Sequence, residues 1–295
     1  TDTVYITLDK AAILRSGMYI PEQYRGATDE ETMSKMPDRM VISLKNLRRM
    51  GGRPMLTKNH IMLLEMLANT NWERPLYMST TVGSDNYVGL EPFFIQEGLA
   101  YRITPFNFRK LGLAPQNGFA VDSETMYNNL MNRFVFGGMK TPGIYIDETI
   151  TRMGYTHRRL YTMLANQLIR EGKKDKAREV LELAKEKFPA STVPYEQDDY
   201  DVPSIWMKVG KPEEANAVAH EVAGIAMSNL RWLSSLGSAS LEHYHNSCLK
   251  ATNAFYMAMS ILHTNQDISP EEIEFLNQAE QLEAFNIGNY YFSQE

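Results

Sequence analysis

Residues 158–189 carry the pattern that most constrains how this chain folds. Two stretches place apolar side chains three or four residues apart, which is the spacing of one face of an α-helix. The two stripes are Tyr161, Leu164, Ala165 and Leu168, and then Ala177, Leu181, Ala184 and Phe188. Gly172 follows the first stripe and Pro189 the second, so each helix has a residue that ends it. The segment is therefore predicted to form two helices packed face to face.

This hairpin resembles a tetratricopeptide repeat whose first position is Arg158. The repeat requires small residues and a proline at fixed positions, which here are Ala165, Gly172, Ala177, Ala184 and Pro189. A degenerate second copy follows, with Trp206, Gly210, Ala215, Ala219 and Val222 at the key positions. Pro203 stands where a small residue is expected, which predicts a shortened first helix in that copy. A repeat of this kind implies a binding surface and no reaction centre.

The first 120 residues have a different pattern. Predicted strands cover 4–8, 40–44, 76–81 and 99–104, with helices over 58–69 and 90–96. Thr57 is the expected N-cap of the longer helix, whose apolar face is predicted to be Ile61, Leu64, Met66 and Leu67 or their near neighbours. This combination of strands and helices predicts a small α+β domain over residues 1–120.

From Asp122 onward the pattern is helical. A helix is predicted over 125–136, and the next begins at Asp147 or Thr149 and is interrupted at Gly154. Helices continue through both repeats. A last hairpin is predicted over 241–263 and 269–285. The aromatic tail 286–295 is expected to dock on this part. We therefore predict an all-α, tetratricopeptide-like array of helical hairpins over residues 121–295, and a chain that is predominantly helical overall.

Composition excludes several classes of function. The net charge of −6 and the pI near 5.6 argue against nucleic-acid binding, which normally requires a basic face. The one cysteine, Cys248, rules out an intrachain disulfide framework and a cysteine-based zinc site. No apolar run is long enough to cross a bilayer. The chain begins without Met and without a signal peptide, so we expect a mature form or a piece of a longer protein.

Residue spacing predicts neither a cofactor nor a metal site. His243 and His245 point about 200° apart on a helix, so they cannot share a metal ion. Three carboxylates follow a glycine-rich turn, namely Asp85, Glu91 and Glu97. They would supply the acid/base pair of a glycosidase if two carboxyl groups lay roughly 5–10 Å apart. The alternative is that these carboxylates are solvated or cap turns.

Two sets of residues are candidate binding sites. On the first repeat, Arg159, Asn166 and Arg170 would line the concave side of the first helix, where they can hold a peptide backbone or a terminal carboxylate. The alternative is an ordinary polar face, or one buried against the α+β part.

The second set is the corner formed by Asn71, Trp72, Glu73 and Arg74. It is either a sugar or peptide site or an architectural turn. In the architectural reading Trp72 packs the corner, Arg74 pairs with a carboxylate and Pro75 fixes the turn.

The strings ANTNWERPLYMS and YVGLEPFFIQEGLAYRITPF, both within residues 62–106, resemble a bacterial family of large multi-pass membrane proteins. The membrane part of that family is similar to protein O-mannosyltransferases, and its soluble C-terminal part often carries tetratricopeptide-like helices. The resemblance covers about residues 5–188. It implies that this chain is the soluble C-terminal region, on the periplasmic face of the inner membrane.

In that superfamily the catalytic carboxylate and the lipid-linked sugar donor belong to the membrane domain, so no catalytic residue is carried over. The resemblance implies a non-catalytic accessory domain that binds or positions a protein or peptide acceptor, or braces the membrane domain of its parent chain. The alternatives are an enzyme acting on sugars through Asp85, Glu91 or Glu97, and a purely structural scaffold.

Overall fold

The computed structural model describes residues 2–115, 118–141, 143–196, 199–237, 241 and 243–292, of which residues 291 and 292 are described as backbone only. The chain forms two compact units, Thr1–Phe134 and Val135–Glu295. Small sheets lie in the first unit and a helical array forms the second, which confirms the predicted fold class. The tetratricopeptide-like character of the array and the domain boundary near residue 120 stay predictions.

The first unit contains three small sheets. In the first, β1 (Thr3–Thr7) pairs antiparallel with β2 (Arg39–Ser43). The short strands β3 (Arg49–Met50) and β4 (Arg53–Pro54) form a hairpin. The largest sheet has the order β5 (Tyr77–Ser79), β7 (Ala100–Ile103), β6 (Phe94–Gln96) and β8 (Ala120–Val121), with β6 and β8 parallel.

Helices α1 (Lys10–Arg15), α2 (Asp29–Lys35), α3 (Lys58–Asn69) and α4 (Ser123–Asn128) complete this unit. A π-helical turn, Asn129–Arg133, continues α4, so the helix predicted over 125–136 ends earlier than expected. Aromatic rings fill the core beside the largest sheet. The ring of Phe94 stacks on that of Tyr101 at 5.5 Å, and Phe119 lies 4.4 Å from Tyr101.

The helix predicted over residues 90–96 is wrong. Residues 90–96 form a 3₁₀ turn, Glu91–Phe93, followed by strand β6 and not a helix. All three residues of β6 are buried, and a short buried run does not distinguish a strand from a helix by periodicity.

The buried face of α3 agrees in part with the predicted one, because Leu67 is in the core and Leu64 packs against it. Ile61 and Met66 are about half exposed, whereas His60 and Leu67 are buried. The His60 ring lies inward because its Nε2 is 2.9 Å from the carbonyl oxygen of Asp85. The inward side of α3 thus carries this polar contact together with Leu63, Leu64 and Leu67, which pack on the core.

The second unit begins with the predicted hairpin, α5 (Glu148–Arg170) and α6 (Lys174–Lys187). Every member of the two apolar stripes is buried. The remaining helices are α7 (Val202–Lys208), α8 (Pro212–Ser234), α9 (His245–Thr264), α10 (Pro270–Ala279) and α11 (Glu283–Phe292). Helix α7 has only seven residues, in keeping with the proline near its start.

The structure corrects two helix assignments in this unit. Gly154 lies inside α5 and does not interrupt it. A Cβ at this glycine would lie 2.9 Å from a methyl group of Val193, so the glycine lets the loop after α6 approach the helix. The second arm of the last hairpin is two helices, α10 and α11, because the chain turns at residues 280–282.

Helix α11 takes up most of the predicted tail and packs on α9. The rings of Phe285 and Tyr256 lie 5.6 Å apart. Residues 293–295 of the tail, residues 197–198 of the loop before α7 and residue 242 lie outside the described residues.

Gly89 offers a test of packing in the first unit. Its φ is +78°, and a Cβ there would meet the carbonyl oxygen of Ser43. Gly112 has a similar φ of +70°, but a Cβ there would meet no atom within 4 Å. We expect Gly112→Ala to lower the free energy of unfolding by about 1–2 kcal/mol through backbone strain alone. Gly89→Ala should lower the free energy of unfolding by the same amount and by about 1–3 kcal/mol more, because its Cβ overlaps the carbonyl oxygen of Ser43.

The measurement is hydrogen exchange of the backbone amides of β2 in both variants. Equal losses of protection would show that the contact with Ser43 relaxes without cost.

Candidate functional site

Arg158 of α5 is a buried arginine that fixes the loop after α6. Only 4% of its surface is exposed. Its Nη1 donates to the carbonyl oxygen of Pro194 and to Oδ2 of Asp199, both at 3.1 Å. Its Nη2 donates to the carbonyl oxygens of Phe188, at 3.2 Å, and Val193.

Two further contacts complete this arrangement. The guanidinium lies 4.3 Å from the centre of the Tyr195 ring. Asp199 also accepts a hydrogen bond from the backbone N–H of Glu196 at 2.9 Å. A buried charge is tolerated only when it is paired and its donors are satisfied. Arg158 meets both conditions, so the loop and α5 hold each other in one geometry.

This loop forms one wall of a cleft whose other wall is α5. The cleft has a volume of about 200 Å³. Its lining residues are Arg159, Thr162, Met163 and Asn166 from the helix, and Asp199, Tyr200 and Asp201 from the loop. The structure therefore brings together two of the predicted site residues, Arg159 and Asn166. Arg170 is not among the lining residues, and its Nη1 donates to Oε1 of Gln167 at 3.3 Å.

The polar side chains of the cleft differ in whether they already have hydrogen-bond or ion-pair partners. Asp199 is committed to Arg158. Arg159 has no ion pair and the Asn166 amide no hydrogen bond among the described residues, so both can receive a ligand. Desolvation, followed by the negative charge of Asp199, raises the pKa of Asp201, while the charge of Arg159 acts in the opposite direction. The cleft thus presents an amide and a cation on one wall and carboxylates on the other.

The residues that complete the cleft are not evident from sequence. Asp199, Tyr200 and Asp201 lie in a polar, tyrosine-rich loop that carries no binding motif. The only available signal is the run of acidic residues shortly before the second repeat. In the sequence, Arg158 is predicted only as the first position of a repeat. The pattern around it does not indicate that its side chain is buried.

The corner at residues 71–74 has a different character. Trp72 is only 4% exposed and belongs to the core of the first unit. Asn71 and Trp72 both have positive φ, 46° and 62°. The turn is closed by hydrogen bonds from Glu73 N to Thr70 O, at 3.2 Å, and from Thr70 Oγ1 to Arg74 O, at 3.1 Å.

This geometry separates the four residues of the corner. The side chains of Asn71, Glu73 and Arg74 are exposed, whereas Trp72 contacts the core. Within the described residues Arg74 has no carboxylate within ion-pair distance. A partner at this corner would therefore meet three polar side chains and not the indole ring.

The three candidate carboxylates occupy unlike surroundings. Glu97 is buried, accepts a hydrogen bond from Tyr77 Oη at 2.7 Å and lies 3.6 Å from Arg102 Nη1. Burial and this hydrogen bond raise the pKa of Tyr77 to about 12. Asp85 is exposed and accepts from Asn86 Nδ2 at 3.1 Å, and Glu91 is half-buried. Glu97 thus has the partners of a structural carboxylate.

Two further reactive side chains, a cysteine and a histidine, are also inaccessible or paired. Cys248 is fully buried in α9, and burial raises the pKa of its thiol. His220 of α8 lies 2.7 Å from Glu272 and 3.5 Å from Asp267. Among the described residues no helix is long and apolar enough to cross a membrane.

Comparison with known families bears on the first unit. Residues 1–125 match the family model described as TMEM260-associated domain 2. The match ends within α4 and does not include the cleft. No curated protein and no solved structure matches the chain. The finding indicates a domain of a TMEM260-like membrane protein family, which agrees with the coarser part of the resemblance predicted from sequence.

The buried ion pair gives a test of how the cleft is held. Arg158→Met should lower the free energy of unfolding of the second unit by about 3–5 kcal/mol, because it leaves Asp199 buried without its partner. Arg152 lies on the same helix and pairs with Glu148 at 2.8 Å on the surface. Arg152→Met should cost at most about 0.5 kcal/mol.

Urea unfolding of both variants, followed by circular dichroism at the helical band, provides the comparison. A similar, small loss in the two variants would contradict a dominant role for Arg158.

Proposed function

We propose that this chain is a non-catalytic accessory region of a membrane protein, and that its second unit binds an extended peptide in the cleft. The observation that carries the proposal is the grouping of Arg159 and Asn166 with Asp199–Asp201 around one concavity. Both α5 residues have polar groups that no described residue occupies, and Asp199, Tyr200 and Asp201 face them across the cleft.

The chemistry of the two side chains fits a peptide. A primary amide such as Asn166 carries both donors and an acceptor, so it can pair with both groups of a peptide bond. Arg159 can donate in a bidentate manner to a carbonyl group or to a terminal carboxylate. The two residues are seven positions apart, which is about 10 Å along a helix. An extended peptide covers that distance with about three residues.

The match to a TMEM260-associated domain supports the membrane-protein context. We extend it by proposing that the parent protein resembles a protein O-mannosyltransferase, and that this chain lies on the extracytoplasmic, periplasmic side of the inner membrane. The bound peptide would then be the protein acceptor. The exposed side chains of Asn71, Glu73 and Arg74 are a second surface, suited to bracing the membrane domain of the parent chain.

The test begins with panning a phage-displayed library of random nonapeptides on the full chain. The recovered peptide is synthesised with a fluorescent label and titrated by fluorescence anisotropy. A hydrogen bond to a charged or amide group contributes about 1.5 kcal/mol, which corresponds to about a tenfold change in Kd. We therefore expect Arg159→Ala and Asn166→Ala each to raise the Kd about tenfold.

Arg152→Ala is the matched control, since Arg152 is exposed on the same helix outside the cleft. Its Kd should equal that of the unmodified chain. Recovery of no binding peptide, or cleft variants that bind as tightly as the control, would exclude the cleft as a peptide site.

A further inference from the structure

A second concavity in the helical unit lies apart from the cleft. It has a volume of about 370 Å³ and runs along one face of α8. Its lining residues are Pro194, Tyr195, His220, Glu221, Gly224, Ile225, Ser228 and Asn229. We call it the α8 groove. It shares no lining residue with the cleft, so its occupancy does not depend on the proposed function.

Gly224 is the first indication that the groove is kept open. This glycine lies in the middle of a 23-residue helix, where glycine is less favourable than alanine. A Cβ at this position would meet no atom within 4 Å, so packing among the described residues does not require a glycine here. The missing side chain leaves space in the groove and exposes the helix backbone to an approaching molecule.

Glu221 is the second indication. It has no ion pair or hydrogen bond among the described residues. The two cations that influence it electrostatically are Arg158 and Lys185. Arg158 is paired with Asp199, and Lys185 with Glu214 at 2.5 Å. Glu221 is exposed, so its carboxylate is accessible to a partner, and partial desolvation raises its pKa.

The remaining lining residues determine what kind of cation fits. Tyr195, Ile225 and Pro194 provide apolar surface beside Glu221, and neither lysine nor arginine is among the described lining residues. His220 is already held by Glu272 and Asp267. A long side chain with an apolar stem and a charged end is complementary to this arrangement, because the stem packs on apolar surface while the end remains polar.

We infer that the α8 groove binds the side chain of a lysine or arginine presented by a peptide or protein partner. The alkyl stem lies along Tyr195 and Ile225, above the space left by Gly224. The ammonium or guanidinium group pairs with the carboxylate of Glu221.

The test uses three acetylated and amidated pentapeptides, Ala-Ala-X-Ala-Ala, in which X is lysine, norleucine or glutamate. Norleucine matches the lysine stem without its charge. Each peptide is titrated into the ¹⁵N-labelled full chain, and the amide shifts of Gly224, Ile225 and Ser228 are followed. We expect the lysine peptide to bind at least about threefold more tightly than the norleucine peptide, and the glutamate peptide to bind most weakly.

Three variants sharpen the test. Glu221→Gln should remove the preference for lysine, whereas Glu213→Gln, on the same helix outside the groove, should keep it. Gly224→Leu should abolish binding by filling the groove. Gly224→Ala should raise the Tm by roughly 2–4 °C because helix propensity improves, which checks that the position tolerates a side chain. No saturable shifts at the groove, equal affinity for lysine and norleucine, or unchanged binding by Gly224→Leu would overturn the inference.

Discussion

The ion pair between Arg158 and Asp199 is the interaction on which the helical unit depends. Its partners lie 41 residues apart in the chain. A buried guanidinium has five donors in a fixed plane, so it specifies the directions of its acceptors as well as their number. Three backbone carbonyl groups and one carboxylate accept the hydrogen bonds of Nη1 and Nη2 here. These contacts tie Val193, Pro194 and Asp199 of the loop after α6 directly to α5.

Both proposed binding surfaces use this positioned loop. The cleft takes Asp199, Tyr200 and Asp201 as one wall, and the α8 groove takes Pro194 and Tyr195. A surface formed by a helix alone presents side chains in one register. A surface formed by a helix and a fixed loop is concave, which a peptide needs in order to lose much of its contact with water.

Features that depend on residues close together in the sequence were predictable, and features that depend on residues far apart in the sequence were not. The α5–α6 hairpin was predictable because its stripes repeat within a few turns and its ends carry Gly172 and Pro189. The inward turn of His60 was not, because it depends on the carbonyl oxygen of Asp85, 25 residues away. The strand at Phe94–Gln96 was not predicted because all three of its residues are buried. The sequence therefore shows no alternation of apolar and polar residues there. Of the residues that line the cleft, Arg159 and Asn166 were predicted from helical spacing, whereas the facing loop residues required the fold.

The position of Cys248 has a consequence for how the chain behaves outside a reducing compartment. This cysteine is the only one in the sequence, and it is completely buried in α9. Exchange between disulfides proceeds through an accessible thiolate. A folded chain with one inaccessible thiol neither forms crosslinked dimers nor traps other proteins as mixed disulfides. Thiol–disulfide exchange therefore does not modify this chain for as long as α9 remains packed.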